Sequence, residues 1–414
     1  LQLTRTIDDR VFRDQVLDAM DLERERGITI KCHPVTMQYI ARDGKTYEFN
    51  LIDTPGHVDF TYEVSRSMAA CDGAILVIDV AQGVEAQTVA NAYLAVDNNL
   101  EIIPVLNKVD LPSADVDGVA RQVEEVLALS MSDHLRISAK SGLGVPELLE
   151  AVVHRLPPPT TDETGALRAL IFDSIYDAFR GVITYIRVVD GSVRVGDRIR
   201  LMRTGVETEI KEIGIFKPKP LPVPVLSAGQ VGYIIGTIRD PAEIKIGDTI
   251  TAQQKPATIA LPGFRDIRPM VFSGIYPIDT NDYEKLKQSI DKFRLNDCSF
   301  TVQPESSVAL GFGFRCGFLG LLHLEIVQER LRREFDVDII STYPSVVYRV
   351  FLSDGTLLEV DNPINLPDTT KIDHLEEPMI RAHIICNNEQ IGDVMKLIMD
   401  RRGGVDKTDT LDTR

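Results

Sequence analysis

The sequence predicts a multidomain α/β protein: a parallel sheet covered by helices, then an antiparallel β-barrel, then two α+β ferredoxin-like sandwich domains. Up to residue 159, continuous apolar runs alternate with helical spacing, which is typical of a parallel sheet with both faces covered. Residues 160–260 contain short strand-like runs between Gly turns, the pattern of a barrel. Strand and helix patterns then mix in residues 261–344 and in a partial last domain, residues 345–414.

Composition limits the class of protein. The 414 residues, 44% of them hydrophobic, suffice for several domain cores. No apolar run approaches the roughly 18 residues that span a membrane. The five cysteines lie far apart, so we predict neither a disulfide framework nor a zinc site, and we expect a reducing compartment. The net charge of −17 argues against general, charge-driven binding to nucleic acid.

The elements of the first 159 residues follow from apolar spacing. Residues 1–22 carry apolar side chains at helical spacing, namely Val11, Phe12, Val16, Leu17 and Met20. Strands are predicted at residues 47–52, 74–80, 102–106 and 135–137, and helices at 58–70, 87–96, 116–129 and 145–156. Ligands of such sheets bind at the carboxyl ends of the strands.

The turn after the first of these strands has the chemistry of a metal and phosphate site. Residues 50–59 read Asn-Leu-Ile-Asp-Thr-Pro-Gly-His-Val-Asp. Asp53 at the strand end can hold a hydrated Mg²⁺, while the Gly56 amide faces a phosphate. An isolated Asp-x-x-Gly is also compatible with an ordinary strand-to-helix turn, so its significance depends on the other motifs.

A second Mg²⁺ ligand is predicted upstream, in Asp21-Leu-Glu-Arg-Glu-Arg-Gly-Ile-Thr-Ile. Alternating acids and bases are typical of a solvated helix face. Gly27, however, frees the backbone so that Thr29 can turn inward. Its hydroxyl can complete an octahedral Mg²⁺ shell while its amide reaches a terminal phosphate.

Two further strand ends predict a guanine site. Residues 107–110 read Asn-Lys-Val-Asp, and residues 138–140 read Ser-Ala-Lys. A buried Asp110 carboxylate can accept from both the ring N–H and the exocyclic amine of guanine, a donor pair that adenine lacks. Lys108 can lie over the base, and the Ala139 amide can donate to the guanine carbonyl. The predicted nucleotide site is therefore Asp53, Gly56, Asn107, Lys108, Asp110, Ser138, Ala139 and Lys140.

The motif order indicates a P-loop-type GTPase domain with its phosphate loop missing. No Gly-x-x-x-x-Gly-Lys-[Ser/Thr] occurs in the 414 residues. That loop ordinarily precedes the segment of Thr29, so we expect an N-terminally truncated domain that holds the base but binds the phosphates poorly.

His57 is the candidate catalytic residue. It follows Asp-x-x-Gly, where guanine-nucleotide switches keep the residue that positions water. We expect it to orient the attacking water and, as imidazolium, to stabilise charge near the γ-phosphate. The alternative is a histidine with a structural role in the turn.

The remaining domains show mainly structural patterns. After a Pro157-Pro-Pro159 linker, barrel strands are predicted at 167–172, 181–189, 197–202, 207–213 and 229–235, with no catalytic residue among them. Later strands are predicted at 269–276, 299–303, 346–351 and 379–385, and helices at 282–294, 321–335 and 391–400. The Gly- and Phe-rich residues 310–320 suit a tight strand and turn, with a base-stacking loop as alternative. Arg330, Arg332 and Arg333 read as solvated helix charges, and Arg401-Arg402 as either phosphate contacts or helix-terminal charges.

The motifs at residues 21–29, 53–59 and 107–110 resemble switch I, switch II and the base motif of translational GTPases, and residues 188–197 resemble their second domain. This resemblance implies that Ile28 belongs to an apolar gate that keeps His57 withdrawn until the ribosome triggers it. It also implies activation by ribosomal RNA rather than by an arginine finger.

Within that class, residues 310–336, the short passage to Glu377-Pro378 and residues 21–29 resemble the elongation factor 4 (LepA) family. The family implies a monomeric, ribosome-dependent GTPase that remodels or back-translocates ribosomes. It also implies a cytoplasmic location with peripheral association at the cytoplasmic face of the bacterial plasma membrane. The chain departs from the family pattern because it lacks the phosphate loop, the rest of the fifth domain and the C-terminal domain through which tRNA is contacted.

Three alternatives stay open from sequence. One is another translational GTPase, such as the BipA type, which the Gly- and Phe-rich residues 310–320 argue against. Another is a GTP-dependent ribosome-binding module with little hydrolysis of its own. The third, an adenine-nucleotide enzyme, is opposed by Asp110.

Overall fold

Two units make up the chain in its computed structural model. The first contains residues 1–268 and 292–298, and the second contains residues 269–291 and 299–409. The structure describes residues 1–7, 10, 15–132, 134–177, 179–238, 243–264, 269–297, 299–307, 309–343, 346–360 and 365–409.

Helices and strands alternate in the first part of unit 1, as the apolar spacing predicted. They are α1 (Asp21–Arg26), β1 (His33–Ile40), β2 (Thr46–Asp53), a 3-10 turn (Val58–Phe60), α2 (Thr61–Met68), β3 (Gly73–Asp79), α3 (Ala86–Asp97), β4 (Glu101–Asn107), α4 (Val116–Leu127), β5 (Leu135–Arg136) and α5 (Val145–Arg155). Strands β3, β4 and β5 form a parallel sheet in that order.

Helices cover both faces of this parallel sheet. Leu106 of β4 packs in a cluster with Val119 and Val123 of α4. Its neighbour Val105 points to the other face and packs in a cluster with Leu148 and Val152 of α5. Because β4 is apolar on both faces, it reads as a continuous apolar run rather than an alternating one.

The strand predicted at residues 47–52 exists as β2, but its partner is β1. The two strands are antiparallel over their full length, from His33 opposite Asp53 to Ile40 opposite Thr46. This strand therefore lies in a two-stranded antiparallel sheet, separate from the parallel sheet of β3, β4 and β5. An apolar run specifies that a strand is buried but does not specify which strand lies beside it.

The helical spacing read in residues 1–22 does not form a helix among the described residues 1–7 and 15–20; Val11 and Phe12 lie outside the described residues. The first helix instead begins at Asp21, because the Glu23 carboxylate accepts from the Met20 amide at 3.0 Å. It ends at Gly27, whose φ of +65° suits glycine and whose amide donates to the Glu23 carbonyl.

The second part of unit 1 is an antiparallel barrel-type sheet. Its strands are β6 (Arg168–Asp177), β7 (Gly181–Asp190), β8 (Ser192–Arg194), β9 (Arg198–Leu201), β10 (Glu207–Glu209), β11 (Glu212–Lys217), β12 (Lys219–Pro222), β13 (Val225–Ser227), β14 (Val231–Ile235) and β15 (Thr249–Ala252). Eight strands pair in the order β10-β9-β15-β6-β7-β14-β11-β12, and β13 pairs with β8. One cluster that includes Ile171, Ile199, Ile213, Leu226 and Ile250 fills the interior. The predicted barrel strands are confirmed, except that the one at 207–213 is divided at the fully buried Ile210.

Gly232 of β14 lies where the backbone of a neighbouring strand leaves no room for a side chain. A Cβ atom at this position would lie 2.3 Å from the Gly214 carbonyl oxygen. We expect Gly232→Ala to lower the free energy of unfolding by about 1–3 kcal/mol, because the strands must separate to admit the methyl group. Denaturant unfolding measures the change, with Gly404→Ala as the control because no atom lies within 4 Å of its Cβ position. Equal midpoints for the two variants would contradict this expectation.

Residues 271–342, which belong to unit 2 except for 292–298, form an α+β sandwich. Its elements are β16 (Val271–Pro277), α6 (Tyr283–Asn296), β17 (Thr301–Ser307), β18 (Gly311–Phe318), α7 (Leu321–Phe335) and β19 (Ile339–Thr342). The antiparallel strand order β17-β18-β16-β19 is that of a ferredoxin-like sheet, as predicted.

The Gly- and Phe-rich residues form strand β18, which favours the packing interpretation over the base-stacking loop. Cys316 and Phe318 are fully buried, and Phe314 stacks on Tyr283 with ring centroids 5.3 Å apart. The charges of α7 also have partners within the helix. Arg330, predicted to be solvated, is only 9% exposed and donates to Glu334 at 2.6 and 3.0 Å.

The described part of residues 346–409 does not form the second sandwich that the sequence predicted. It contains a three-stranded antiparallel sheet, β21-β20-β22, built from β20 (Tyr348–Leu352), β21 (Leu357–Val360) and β22 (Ile372–Glu376). The strand predicted at 379–385 is absent among these residues, and helix α8 (Ile391–Asp400) buries no residue. A strand needs a partner edge, and Met379 and Ile380 are 70% and 88% exposed. None of the described helices is both long and apolar enough to cross a membrane.

Candidate functional site

The ends of β3, β4 and β5 bring the predicted base-binding residues together. The Asn107 side-chain oxygen accepts from the Ala139 amide at 3.0 Å and joins the two loops. Lys108 follows with φ of +67°, a conformation that residues other than glycine seldom adopt and that is found at functional sites. Its ammonium donates to Asp79 at 2.7 Å. Burial raises the pKa of Asp79, but the bond from Lys108 outweighs it and the pKa is lowered overall.

The loop after β5 is held by its own hydrogen bonds. Ser138 is fully buried, and its hydroxyl accepts from the Ser141 amide at 3.2 Å. Its own amide donates to the Leu143 carbonyl at 3.0 Å. Asp110 and Lys140 are exposed beside this loop. Asp110 was predicted to be buried, whereas its side chain is exposed.

The two predicted Mg²⁺ ligands, the Thr29 hydroxyl and the Asp53 carboxylate, lie near a second carboxylate, that of Asp18, which was not predicted from sequence. The Thr29 hydroxyl donates to the Asp18 carboxylate at 3.1 Å, and Asp18 is only 4% exposed. Asp53 lies at the end of β2. Its burial, and then the negative charge of Asp18, raise the pKa of Asp53 above its ordinary value.

Glu23 fixes the backbone on both sides of Thr29. Its carboxylate is fully buried and accepts from the amides of Ile30 and Lys31 at 3.0 and 3.1 Å. Its carbonyl accepts from the amide of the half-buried Ile28 at 3.2 Å. Burial raises the pKa of Glu23, but its bonds to His33 and these amides lower it overall. Sequence reasoning missed Glu23 because it lies in an alternating charged stretch.

His57 begins the 3-10 turn that leads into α2. Its Nδ1 atom accepts from the Asp59 amide at 3.1 Å and lies 3.6 Å from the Asp59 carboxylate. The side chain is 41% exposed. The Gly56 carbonyl before it accepts from Asn91 of α3 at 3.2 Å. These bonds fix the turn and leave the Nε2 edge of His57 as the one that can meet a substrate.

Comparison with known proteins identifies the family. Family models match consecutive parts of the chain: the elongation factor Tu GTP binding domain at residues 1–158, elongation factor Tu domain 2 at 181–251, and elongation factor G domain III at 268–342. Elongation factor 4 of Protochlamydia amoebophila is 57% identical over 414 residues, which cover all of this chain and 69% of that protein. The chain belongs to the elongation factor 4 family.

Other members of the elongation factor 4 family are similar to this chain over all or nearly all of its length. Elongation factor 4 of Chlorobaculum tepidum is 55% identical over the whole chain, and that of Shouchella clausii 54% identical over 97% of it. The chain spans 68% and 66% of these two relatives. A crystal structure of a Thermus thermophilus protein, 18% identical, shares the fold with a TM-score of 0.67 over 81% of this chain and 63% of that one.

Membership of the elongation factor 4 family confirms the resemblance predicted from sequence. The chain is a translational GTPase, an enzyme that hydrolyses GTP and acts on the ribosome. Its architecture is a GTPase domain, a β-barrel second domain and a third domain of the elongation factor G type.

A magnesium ion fits the oxygen donors of this GTPase. Thr29 offers a hydroxyl and Asp53 a carboxylate, and oxygen donors are those that Mg²⁺ prefers. The adjoining carboxylates of Asp18 and Asp53 also concentrate negative charge, which the raised pKa of Asp53 reflects. A divalent cation at this place would offset that repulsion.

A buried ion network joins the helix after His57 to the barrel. The Arg66 side chain of α2 is 2% exposed, pairs with Glu63 on the same helix, and lies 3.4 Å from the Asp173 carboxylate of β6. Burial raises the pKa of Glu63, although Arg66 acts in the opposite direction. The pairing ties α2, the helix that follows His57, to strand β6 of the second domain.

Proposed function

We propose that His57 orients the water that attacks the γ-phosphate of GTP when the ribosome is bound. The water oxygen bonds to the γ-phosphorus as the bond from that phosphorus to the bridging oxygen breaks, and a proton of the water passes to an oxygen of the γ-phosphate, giving GDP and phosphate. The position of His57 after the strand-end Asp53 supports this role, as does its half-exposed side chain.

The hydrogen bond to Nδ1 of His57 decides how the ring can act. A neutral imidazole whose Nδ1 accepts a hydrogen bond carries its proton on Nε2. Nε2 therefore donates to the water or to a phosphate oxygen rather than removing a proton. In the imidazolium form, the Nδ1 proton would meet the Asp59 carboxylate, 3.6 Å away. Both forms favour orientation of the water and stabilisation of negative charge over general-base catalysis.

Thr29 and Asp53 are the residues we propose to hold Mg²⁺, Asp53 through a water molecule. The ion supplies neutralisation of the charge on the β- and γ-phosphate oxygens. Ile28 precedes Thr29 and is half-buried, which supports its proposed place in the gate that keeps His57 withdrawn. Gly56 is proposed to offer its amide to the γ-phosphate.

Guanine recognition is proposed to rest on Asp110, with Asn107, Lys108, Ser138, Ala139 and Lys140 forming the rest of the base site. The Asn107 bond to the Ala139 amide supports this proposal, since it joins both loops. Ala139 would exchange or share that bond to donate to the guanine carbonyl. The exposure of Asp110 leaves its carboxylate accessible to a base.

Removing the Asp110 carboxylate tests this base site. We expect Asp110→Ala to weaken GTP binding at least about 100-fold, because two hydrogen bonds to a charged group are lost, each worth about 1.5–3 kcal/mol. ATP binding should stay weak and change little. Equilibrium binding of fluorescent GTP and ATP analogues measures both. Asp97→Ala, at the end of α3 and away from the base loops, is the control; an unchanged GTP affinity for Asp110→Ala would remove Asp110 from the site.

We propose that the task on the ribosome is remodelling or back-translocation, with tRNA contacted through C-terminal parts of the family's proteins. A monomer in the cytoplasm, with peripheral association at the bacterial plasma membrane, is proposed from the family. Among the described residues, Cys32, Cys71, Cys316 and Cys386 form no disulfide bond, which supports a reducing compartment.

GTP hydrolysis measured with and without ribosomes tests the proposed mechanism. A large stimulation by ribosomes is the expected result. An equal, slow rate under both conditions would instead favour a GTP-dependent binding module with little hydrolysis.

A further inference from the structure

Asp18 and Thr29 form a contact for which the proposed reaction gives no role. Asp18 is 4% exposed and lies just before α1, and its carboxylate accepts the Thr29 hydroxyl proton at 3.1 Å. A threonine hydroxyl has one proton and two lone pairs. Because the proton is directed to Asp18, the lone pairs remain free for another partner.

We propose that Asp18 is a positioning residue that turns the lone pairs of the Thr29 hydroxyl toward the bound Mg²⁺. This inference rests on the proposed role of Thr29 as a ligand of that ion. A carboxylate that accepts from a metal-bound group fixes its orientation and makes it a better ligand.

The backbone around Thr29 makes this orientation effective. Glu23 holds the amide of Ile28 through its carbonyl and the amides of Ile30 and Lys31 through its carboxylate. The chain is therefore fixed on both sides of Thr29. The Thr29 side chain can then still rotate about its Cα–Cβ bond, and the hydrogen bond to Asp18 restricts this rotation.

A different assignment would make Asp18 itself a metal ligand. Donor atoms of Asp18, Glu23 and His33 do lie within 4.8 Å of one another. However, the two Glu23 carboxylate oxygens already accept from three backbone amides, those of Met20, Ile30 and Lys31. Glu23 uses both carboxylate oxygens to hold the backbone. We therefore do not assign Asp18, Glu23 and His33 as a separate metal site.

The Mg²⁺ dependence of GTP-analogue binding tests the proposal. We titrate Mg²⁺ into the protein with a fluorescent GTP analogue and determine the half-saturating Mg²⁺ concentration for Asp18→Ala, Asp18→Asn, Thr29→Ala and the double variant Asp18→Ala with Thr29→Ala. Asp18→Ala should raise that concentration about 10–100-fold, the usual cost of losing such a partner. Asp18→Asn keeps an acceptor oxygen and should raise it less.

The double variant separates positioning from other roles. If Asp18 acts through Thr29, adding Asp18→Ala to Thr29→Ala raises the half-saturating concentration by a much smaller factor than Asp18→Ala does alone, the remainder being the lost negative charge near Asp53. An equal factor in both backgrounds would overturn the proposal, as would an Asp18→Ala variant with wild-type Mg²⁺ dependence. A wild-type dependence for Thr29→Ala would overturn the metal role of Thr29 itself, and with it this inference.

Two controls exclude a general loss of structure. Asp21→Ala removes a carboxylate of α1 whose side chain is 82% exposed, and should leave the Mg²⁺ dependence unchanged. The melting temperature without Mg²⁺ and nucleotide should be close to wild type for Asp18→Asn. If Asp18→Asn is destabilised and also raises the Mg²⁺ requirement as much as Asp18→Ala does, Asp18 supports the fold and the proposal fails.

Discussion

His57→Ala is expected to lower the ribosome-stimulated rate of GTP hydrolysis about 10²–10⁴-fold, the usual cost of losing a group that positions a reactant or stabilises developing charge. GTP affinity should be unchanged, because the base loops at Asn107 and Ala139 do not contact His57. Single-turnover hydrolysis at saturating ribosomes measures the rate, and equilibrium binding of a GTP analogue measures the affinity.

Two further variants sharpen the test of His57. His57→Gln keeps an N–H donor but no charge, so it should retain more activity than His57→Ala if donation matters. His154→Ala removes an exposed histidine of α5 and should leave the rate unchanged. A full stimulated rate in His57→Ala would make His57 a structural residue of the turn, held by Asp59 and Phe60.

Arg66→Met is expected to lower the free energy of unfolding by about 3–5 kcal/mol. The substitution removes the cation that pairs directly with the buried carboxylates of Glu63 and Asp173 and leaves them with Lys31 as a nearby cation. Removal of one partner from a buried ion pair has a cost of this size. The side chains of Glu63 and Asp173 are 9% and 6% exposed, so water can compensate them little. Chemical denaturation followed by circular dichroism measures the loss.

The matched control for Arg66 is a surface pair of the same kind. Arg42 pairs with Glu147 at 3.2 Å, and their side chains are 67% and 55% exposed. Arg42→Ala should change stability by less than about 1 kcal/mol. Adding Asp173→Asn to Arg66→Met should cost less than the sum of the two single changes, since they share one interaction. Additive losses would show that Arg66 stabilises the protein through packing alone.

Much of the fold could be predicted because long amphipathic helices have a strong period. The helices predicted at residues 321–335 and 391–400 match the bounds of α7 and α8. Strand pairing was harder to predict, because the sequence of β1 does not indicate that β2 lies beside it. The strand predicted at 379–385 was wrong because its apolar residues have no partner strand among the described residues.

Residues of the candidate site that belong to sequence motifs were predicted. Residues whose role depends on being buried were missed. The loops of Asn107 and Ala139 follow apolar strands, so their meeting at one edge of the sheet follows from topology. Asp18, Glu23 and Arg66 are buried charged residues, and because charged residues are ordinarily exposed, sequence gives no sign that they face inward. Only tertiary contacts distinguish them from solvated residues.

The anchoring of α2 has a consequence for the energetics of each reaction cycle. Because Arg66 holds this helix against β6, a change in the position of His57 is expected to be confined to the turn between Asp53 and α2. Ordering one residue costs about 1–2 kcal/mol of conformational entropy, so a rearrangement of a few residues can be driven by contacts with the ribosome and then reversed. Moving the whole helix would break a buried ion pair in every cycle. A short hinge beside a fixed helix therefore allows His57 to move quickly and to return to its starting position in every reaction cycle.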